Sequence, residues 1–190
     1  MADKIIHKLV LYPVNTDYMP ENWMNIKLSL AQAGFIGKSI SLENESYYVG
    51  DNFLKLITFL GCSPYIQIEP EEGASDSFCC IVLSDLSNEI CFRFLARDVT
   101  ARCPKCRKNL DSWQNWLNQW KESSGSFVVE CEHCSSRLSL FDLNWRHSAA
   151  FARCFIDIWN IYPQEAIPTE ELLQKLSEAT GEDWDYFFSD

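Results

Sequence analysis

ARCPKCRK (residues 101–108) and VECEHCSS (residues 129–136) each hold two cysteines two residues apart, and 24 residues separate Cys106 from Cys131. Two such pairs can place four thiolates on one ion as two short knuckles, the tetrahedral all-sulfur coordination that Zn²⁺ favours. With four sulfurs supplied, no coordination position is left for water or substrate, so one structural zinc ion is expected rather than a catalytic one. A segment of about fifty residues buries too little apolar surface to hold itself together. Bound zinc supplies roughly 10 kcal/mol or more in small finger peptides, enough to make the difference. The alternative, four buried free cysteines, fits poorly with a spacing that seldom arises outside metal sites.

On Cys103, Cys106, Cys131 and Cys134, residues 99–147 resemble the zinc ribbons, a functionally mixed family built from two cysteine knuckles and a small β-sheet. The resemblance covers a quarter of the chain and implies those four residues as ligands. It names no job, because closed four-cysteine sites serve transcription, translation, adaptor and enzyme proteins alike. Between the knuckles the sequence departs from a plain ribbon. Asp111 with Gln114 reads as a capping box, and Trp113, Trp116, Leu117 and Trp120 fall on one helical stripe. Ser123 to Ser126 then returns the chain to a strand, Phe127 to Glu130, that enters the second knuckle. His133 lies between two ligands but is not needed by a complete S₄ site, so it is expected to face outward.

Outward from the ribbon, residues 1–98 and 148–190 together read as one α+β body, a small mainly antiparallel sheet packed with helices and interrupted by the inserted ribbon at 99–147. Ile5 to Tyr12 reads as a first strand ending at Pro13, and Pro20 to Gly34 as an amphipathic helix burying Trp23, Ile26, Leu30 and Ala33. Tyr47 to Gly50 is a short strand. Asn52 to Leu60, apolar almost all round, reads as a helix inside the core. Strands are expected at Tyr65 to Glu69, Phe78 to Ser84 and Ile90 to Ala96, the last two joined by a hairpin turn at Asp85 to Glu89. Phe151, Cys154, Phe155, Ile158 and Trp159 give a helical spacing that Pro163 ends, and Thr169 caps a last helix that Gly181 stops. The run Trp184, Tyr186, Phe187, Phe188 is expected to close the core.

At 190 residues, 47 % apolar and 14 % aromatic, the chain is large enough for a buried core, and no run is long and apolar enough for a signal peptide or a membrane span. Nine cysteines, four of them in C-x-x-C pairs, without an export signal suit metal binding in a reducing compartment, taken to be the cytoplasm. The net charge of −11 divides as −5 over residues 1–97, +1 over 98–147 and −7 over 148–190. An acidic body repels a polyphosphate backbone, so nucleic acid is a partner only through the ribbon, where Arg102, Lys105, Arg107 and Lys108 are candidate phosphate contacts. The same cations also compensate a ZnS₄ centre of formal charge −2.

Catalytic motifs are absent from the sequence. The seven glycines are isolated, giving no P-loop or dinucleotide turn, and neither a G-x-S-x-G elbow nor an H-E-x-x-H helix occurs. Carboxylates Glu69, Glu71, Glu72 and Asp76 in one loop, or a thiol outside the knuckles, are what an enzyme would have to use. The balance favours a small adaptor or regulatory module that binds a protein partner through Trp113, Trp116 and Trp120, since tryptophan anchors interfaces disproportionately.

Overall fold

The computed structural model describes residues 6–61, 66–70, 78–96, 99–123 and 127–190. In chain order its elements are β1 (Lys8–Pro13), α1 (Met24–Gln32), β2 (Ile36–Ser41), β3 (Ser46–Val49), α2 (Phe53–Leu56), β4 (Ile57–Phe59), β5 (Cys80–Leu83) and β6 (Cys91–Phe94). There follow α3 (Trp113–Glu122), β7 (Val128–Glu130), β8 (Arg137–Ser139), β9 (Ala149–Ala152), β10 (Ile156–Trp159), β11 (Ala166–Pro168), α4 (Glu170–Thr180) and β12 (Trp184–Ser189). The α+β class holds. The main sheet has six strands in the order β12-β1-β10-β5-β3-β2, every neighbouring pair antiparallel.

Alternation along the strands sorts side chains onto the two faces of that sheet. Leu9, Leu11, Ile81, Leu83, Ile156 and Ile158 point to one face, where they meet Ile26 and Leu30 of α1 and Leu172 and Leu176 of α4. Val10 and Phe187 point to the other and pack with Ala150, Ala152 and Phe155. The last helix forms as its sequence predicts: the Thr169 hydroxyl accepts from Leu172 N–H, Glu170 and Glu171 occupy the first turn, and Gly181 takes φ 75° at the stop. Trp184, Phe187 and Phe188 are buried in β12, so the aromatic tail does close the core.

Four expected elements are corrected. Residues 151–159 form no helix; they are the end of β9 and all of β10. Both strands are covered on both faces, and a strand without a solvent face gives an apolar run whose period cannot be told from a helix. The hairpin at Asp85 to Glu89 does not exist either. β5 pairs with β10, β6 pairs with β9, and the linking segments run beside each other, Ser84 N–H donating to Phe155 O (3.0 Å) and Ser87 N–H to Arg153 O (2.9 Å). Strands β5 and β6 therefore make one bent two-stranded arm with β9 and β10, leaving the main sheet and crossing its second face. Finally, the helix over Asn52 to Leu60 lasts one turn, because Ile57 to Phe59 leave it to pair with Ala166 to Pro168. Leu54 and Leu60 are exposed rather than buried. Ile66 to Ile68 is irregular rather than a strand, and Tyr65 and the acidic residues Glu71, Glu72 and Asp76 lie outside the described residues.

The bent arm is fastened by charge as well as by its ladder. Asp157, 6 % exposed on the second face of β10, takes Arg93 of β6 at 2.6 Å, and Lys8 stands 3.9 Å away. The Arg93 guanidinium also lies 4.6 Å from the centre of the Phe155 ring. The arm ends at Phe94 paired with Ala149, and the four-cysteine segment occupies the chain between them. Among the described residues no helix is long and apolar enough to cross a membrane.

Candidate metal centre

The two knuckles have the same backbone. In the first, Cys103 N–H donates to Lys108 O (3.0 Å) and Arg107 N–H to Cys103 O (2.9 Å); in the second, Cys131 N–H donates to Ser136 O (2.9 Å) and Ser135 N–H to Cys131 O (2.9 Å). Each turn closes through a left-handed residue just after its second cysteine, Arg107 at φ 63° and Ser135 at φ 55°. The turns also aim amides at sulfur, Cys106 N–H at Cys103 Sγ (3.5 Å) and His133 N–H at Cys131 Sγ (3.4 Å). β7 and β8 hold the second knuckle between them, and Arg102, bridging to both Asn109 and Asn144, carries the first.

The four Sγ atoms lie within 4.8 Å of one another. Cys103 is 3.8 Å from Cys134, and Cys106 is 3.7 Å from Cys131. A disulfide needs about 2.05 Å between sulfurs. Four Zn–S bonds of about 2.3 Å in a tetrahedron put the sulfurs about 3.8 Å apart. The cluster thus has the size of a metal-binding S₄ site, and no other group of three or more potential ligands is found among the described residues.

Charge supports the same conclusion. The Ser136 hydroxyl, 3.3 Å from Cys134, and the Ser136 amide draw the Cys134 thiol down to about 6. Cys103 is lowered too: its burial opposes ionisation, but the amides of Cys106 and Lys105 outweigh it. The Lys108 amide favours the Cys106 thiolate as well, yet burial and the three neighbouring sulfurs push Cys106 up to about 11. Four thiolates cannot share this space without a cation among them, and a divalent metal removes that conflict.

His133 stays outside the sulfur cluster, as expected, and its Nε2 lies 3.0 Å from the Asn109 carbonyl. The residue beside it was not singled out by the sequence. Glu132 accepts the Ser112 N–H at 3.0 Å, and its carboxyl is held below its ordinary value by the Ser112 hydroxyl and amide. Ser112 is the residue that starts α3, whose own side chain makes no cap. The capping box expected at Asp111 and Gln114 is therefore replaced by a carboxylate reaching over from the second knuckle. Glu132 and His133 together clamp both the start of α3 and Asn109, which precedes it.

Beneath the sulfurs lies a second core, with Leu110, Leu117, Val129, Leu138, Leu140, Leu143 and Trp145 buried in it. Ala149 and Phe151 of β9 complete that core, so it is continuous with the arm. The tryptophan stripe is half-buried against it. Trp113 meets Trp145 edge to face at 5.6 Å, Trp120 meets Phe141 and Phe151 at 5.9 and 5.2 Å, and Trp116 packs on the cluster through other side chains. Trp120, Phe92, Phe141 and Ile90 line an open groove of about 810 Å³ rimmed by Lys121, Glu89 and Arg153.

Lys105, Arg107 and Lys108 are exposed on the first knuckle and make no ion pair among the described residues. Arg102 is half-buried, its Nε donating to Asn109 Oδ1 at 2.9 Å. Among the cysteines outside the site, burial pushes Cys80 up to about 11 and Cys154 to about 12, and raises Cys79 as well. Those thiols stay protonated and serve as small core hydrophobes. No family model, curated protein or solved structure matches the chain.

Proposed function

We propose that the chain is a cytoplasmic protein-binding module in which residues 99–147 form an inserted zinc ribbon, with the body formed by residues 1–98 and 148–190. Cys103, Cys106, Cys131 and Cys134 hold one structural Zn²⁺, which neutralises the thiolates and fixes the knuckles. The observation that carries the reading is the clamp from Glu132 and His133, which makes the position of α3 depend on the metal-held knuckle. The metal thereby presents the tryptophan helix, and the open groove beside it, at a set angle to a protein partner. Eight free cysteines in the described part of the chain fit a reducing compartment.

Trp116 gives the cleanest test, because Trp113 and Trp120 are also bound into the aromatic core. Trp116→Ala in the zinc-loaded full chain is expected to keep its fold by circular dichroism and to lose co-purifying protein. Retention of every partner by a folded Trp116→Ala protein would refute the reading. A second reading, nucleic-acid binding, is favoured by Lys105, Arg107 and Lys108, which make no ion pair among the described residues; it requires RNA or DNA affinity that falls steeply as salt rises.

A further inference from the structure

The chain takes two successive non-glycine residues through left-handed backbone at Arg146 (φ 52°) and His147 (φ 57°). Such a pair persists only where its surroundings over-determine it. Arg146 N–H donates to Asn144 Oδ1 (3.0 Å), Phe188 N–H donates to His147 O (2.9 Å), and the His147 ring stacks flat on Tyr186, 4.1 Å between centres and 5° between planes. His147 Nδ1 lies 2.8 Å from the Tyr186 carbonyl, to which it donates. The Arg146 guanidinium, by contrast, is exposed and has no hydrogen bond or ion pair among the described residues. Glycine or asparagine would make this turn at lower strain, so the turn alone does not explain an arginine here.

Arg146 and His147 separate two hollows. The smaller, of about 300 Å³, is also lined by Asp185, whose carboxylate stands 3.9 Å from His147 Nδ1. The larger, of about 740 Å³, adds a second guanidinium, Arg102, and an aromatic wall of Tyr186 and Phe188. Asp190 also lines it, with its carboxylate turned to the Ala96 N–H at 2.6 Å. Two guanidiniums against one engaged carboxylate leave local positive charge in a chain of net charge −11. That balance suits one dianionic group and is too small for a polyphosphate.

We propose that this cleft, between the four-cysteine segment and β12, binds a small phosphomonoester with an aromatic or heterocyclic part, of mononucleotide size. The phosphate sits between Arg102 and Arg146, and the ring lies along Tyr186 and Phe188. The site does not depend on the protein-binding reading, since Trp113, Trp116 and Trp120 do not line it.

Calorimetric titration of the zinc-loaded full chain with AMP tests the site, with inorganic phosphate and a short single-stranded RNA lacking a terminal phosphate as the other arms. AMP is expected to bind with a Kd below about 1 mM. Arg146→Gly is expected to weaken it roughly tenfold or more, the loss of one charge-assisted pair. The same variant, relieved of a left-handed side chain, is expected to melt no lower than the parent. Arg146→Lys restores part of the affinity, and Lys38→Ala, an exposed cation of β2 outside the cleft, leaves it unchanged. Phosphate binding more weakly than AMP but with the same Arg146 dependence supports the site. Absence of AMP binding, affinity unaffected by Arg146→Gly, or binding of the RNA alone overturns it.

Discussion

Replacing Cys131 with serine should unfold the four-cysteine segment and spare the sheet. Cys131 is 1 % exposed, its sulfur is 3.7 Å from Cys106, and it accepts the His133 N–H, so serine can neither reach nor charge the position the thiolate holds. A structural zinc contributes about 10–16 kcal/mol in finger peptides, so each of four thiolates accounts for roughly 2.5–4 kcal/mol. Loss of the ion removes an amount comparable to the whole stability of an ordinary domain, about 5–15 kcal/mol. The damage should remain local. The core joining β1, β5, β10, α1 and α4 holds no residue from 99–147, whereas Ala149 and Phe151 belong to the core beneath the four cysteines. Hydrogen exchange of reduced Cys131→Ser protein should show α3, β7 and β8 exchanging freely, β9 softened, and β1, β10 and α4 as protected as in the parent. Tryptophan fluorescence should shift to the red, since Trp113, Trp116, Trp120 and Trp145 all lie in that core or against it. If the variant, or chelator-treated parent, contains no stoichiometric metal by elemental analysis and still protects α3 and β7, the metal is not what orders this segment.

Glu132→Gln should destabilise the start of α3 by up to about 1 kcal/mol, the size of a helix-cap or dipole interaction. Because the folded carboxyl is held below its ordinary value, that contribution is present above about pH 4.3 and fades as pH falls through the lower folded value; α3 amide exchange against pH should follow this course in the parent and be flat in the variant. Arg107→Gly and Ser135→Gly should each raise the denaturant midpoint at unchanged slope. Left-handed backbone costs a side-chain-bearing residue about 1–2 kcal/mol, and glycine's extra chain entropy returns about 0.5–1 of it. A lowered midpoint would mean that the knuckles need those side chains. Arg93→Ala should cost about 3 kcal/mol by leaving Asp157 buried with only Lys8 nearby, and a loss under about 1 kcal/mol would show the arm to be held by its ladder alone.

What the sequence made legible was local chemistry. Each Cys-x-x-Cys pair, a hydroxyl cap at Thr169, a glycine stop at Gly181 and the stripe from Trp23 to Leu30 acts within a few residues, and each lies where its pattern put it. What was not legible is non-local. Nothing near residue 83 or 91 says that their partners are at 156 and 152 rather than each other, because the pairing is set by a crossing between layers. The same crossing buries both faces of β9 and β10 and so erases the alternation that would have marked Phe151 to Trp159 as strand. Glu132 was hidden for another reason: its partner, Ser112, is twenty residues away and is reached only once the knuckle has formed.

The clamp has a thermodynamic consequence that separates a metal that merely staples from one that presents. If a partner requires α3 in the position that Glu132 and His133 hold, the partner and the ion bind to the same arrangement, and each must raise the affinity of the other by an equal factor. A coupling of about 1–3 kcal/mol, typical of linked sites, corresponds to a 5- to 150-fold tighter hold on the metal at equilibrium with a fixed chelator when partner is saturating. Glu132→Gln keeps all four sulfurs and should reduce that factor, whereas Trp116→Ala should abolish partner binding while leaving the metal's own affinity unchanged. Metal retention that is identical with and without partner, in parent and Glu132→Gln alike, would leave the ion as a staple with no part in presenting the helix.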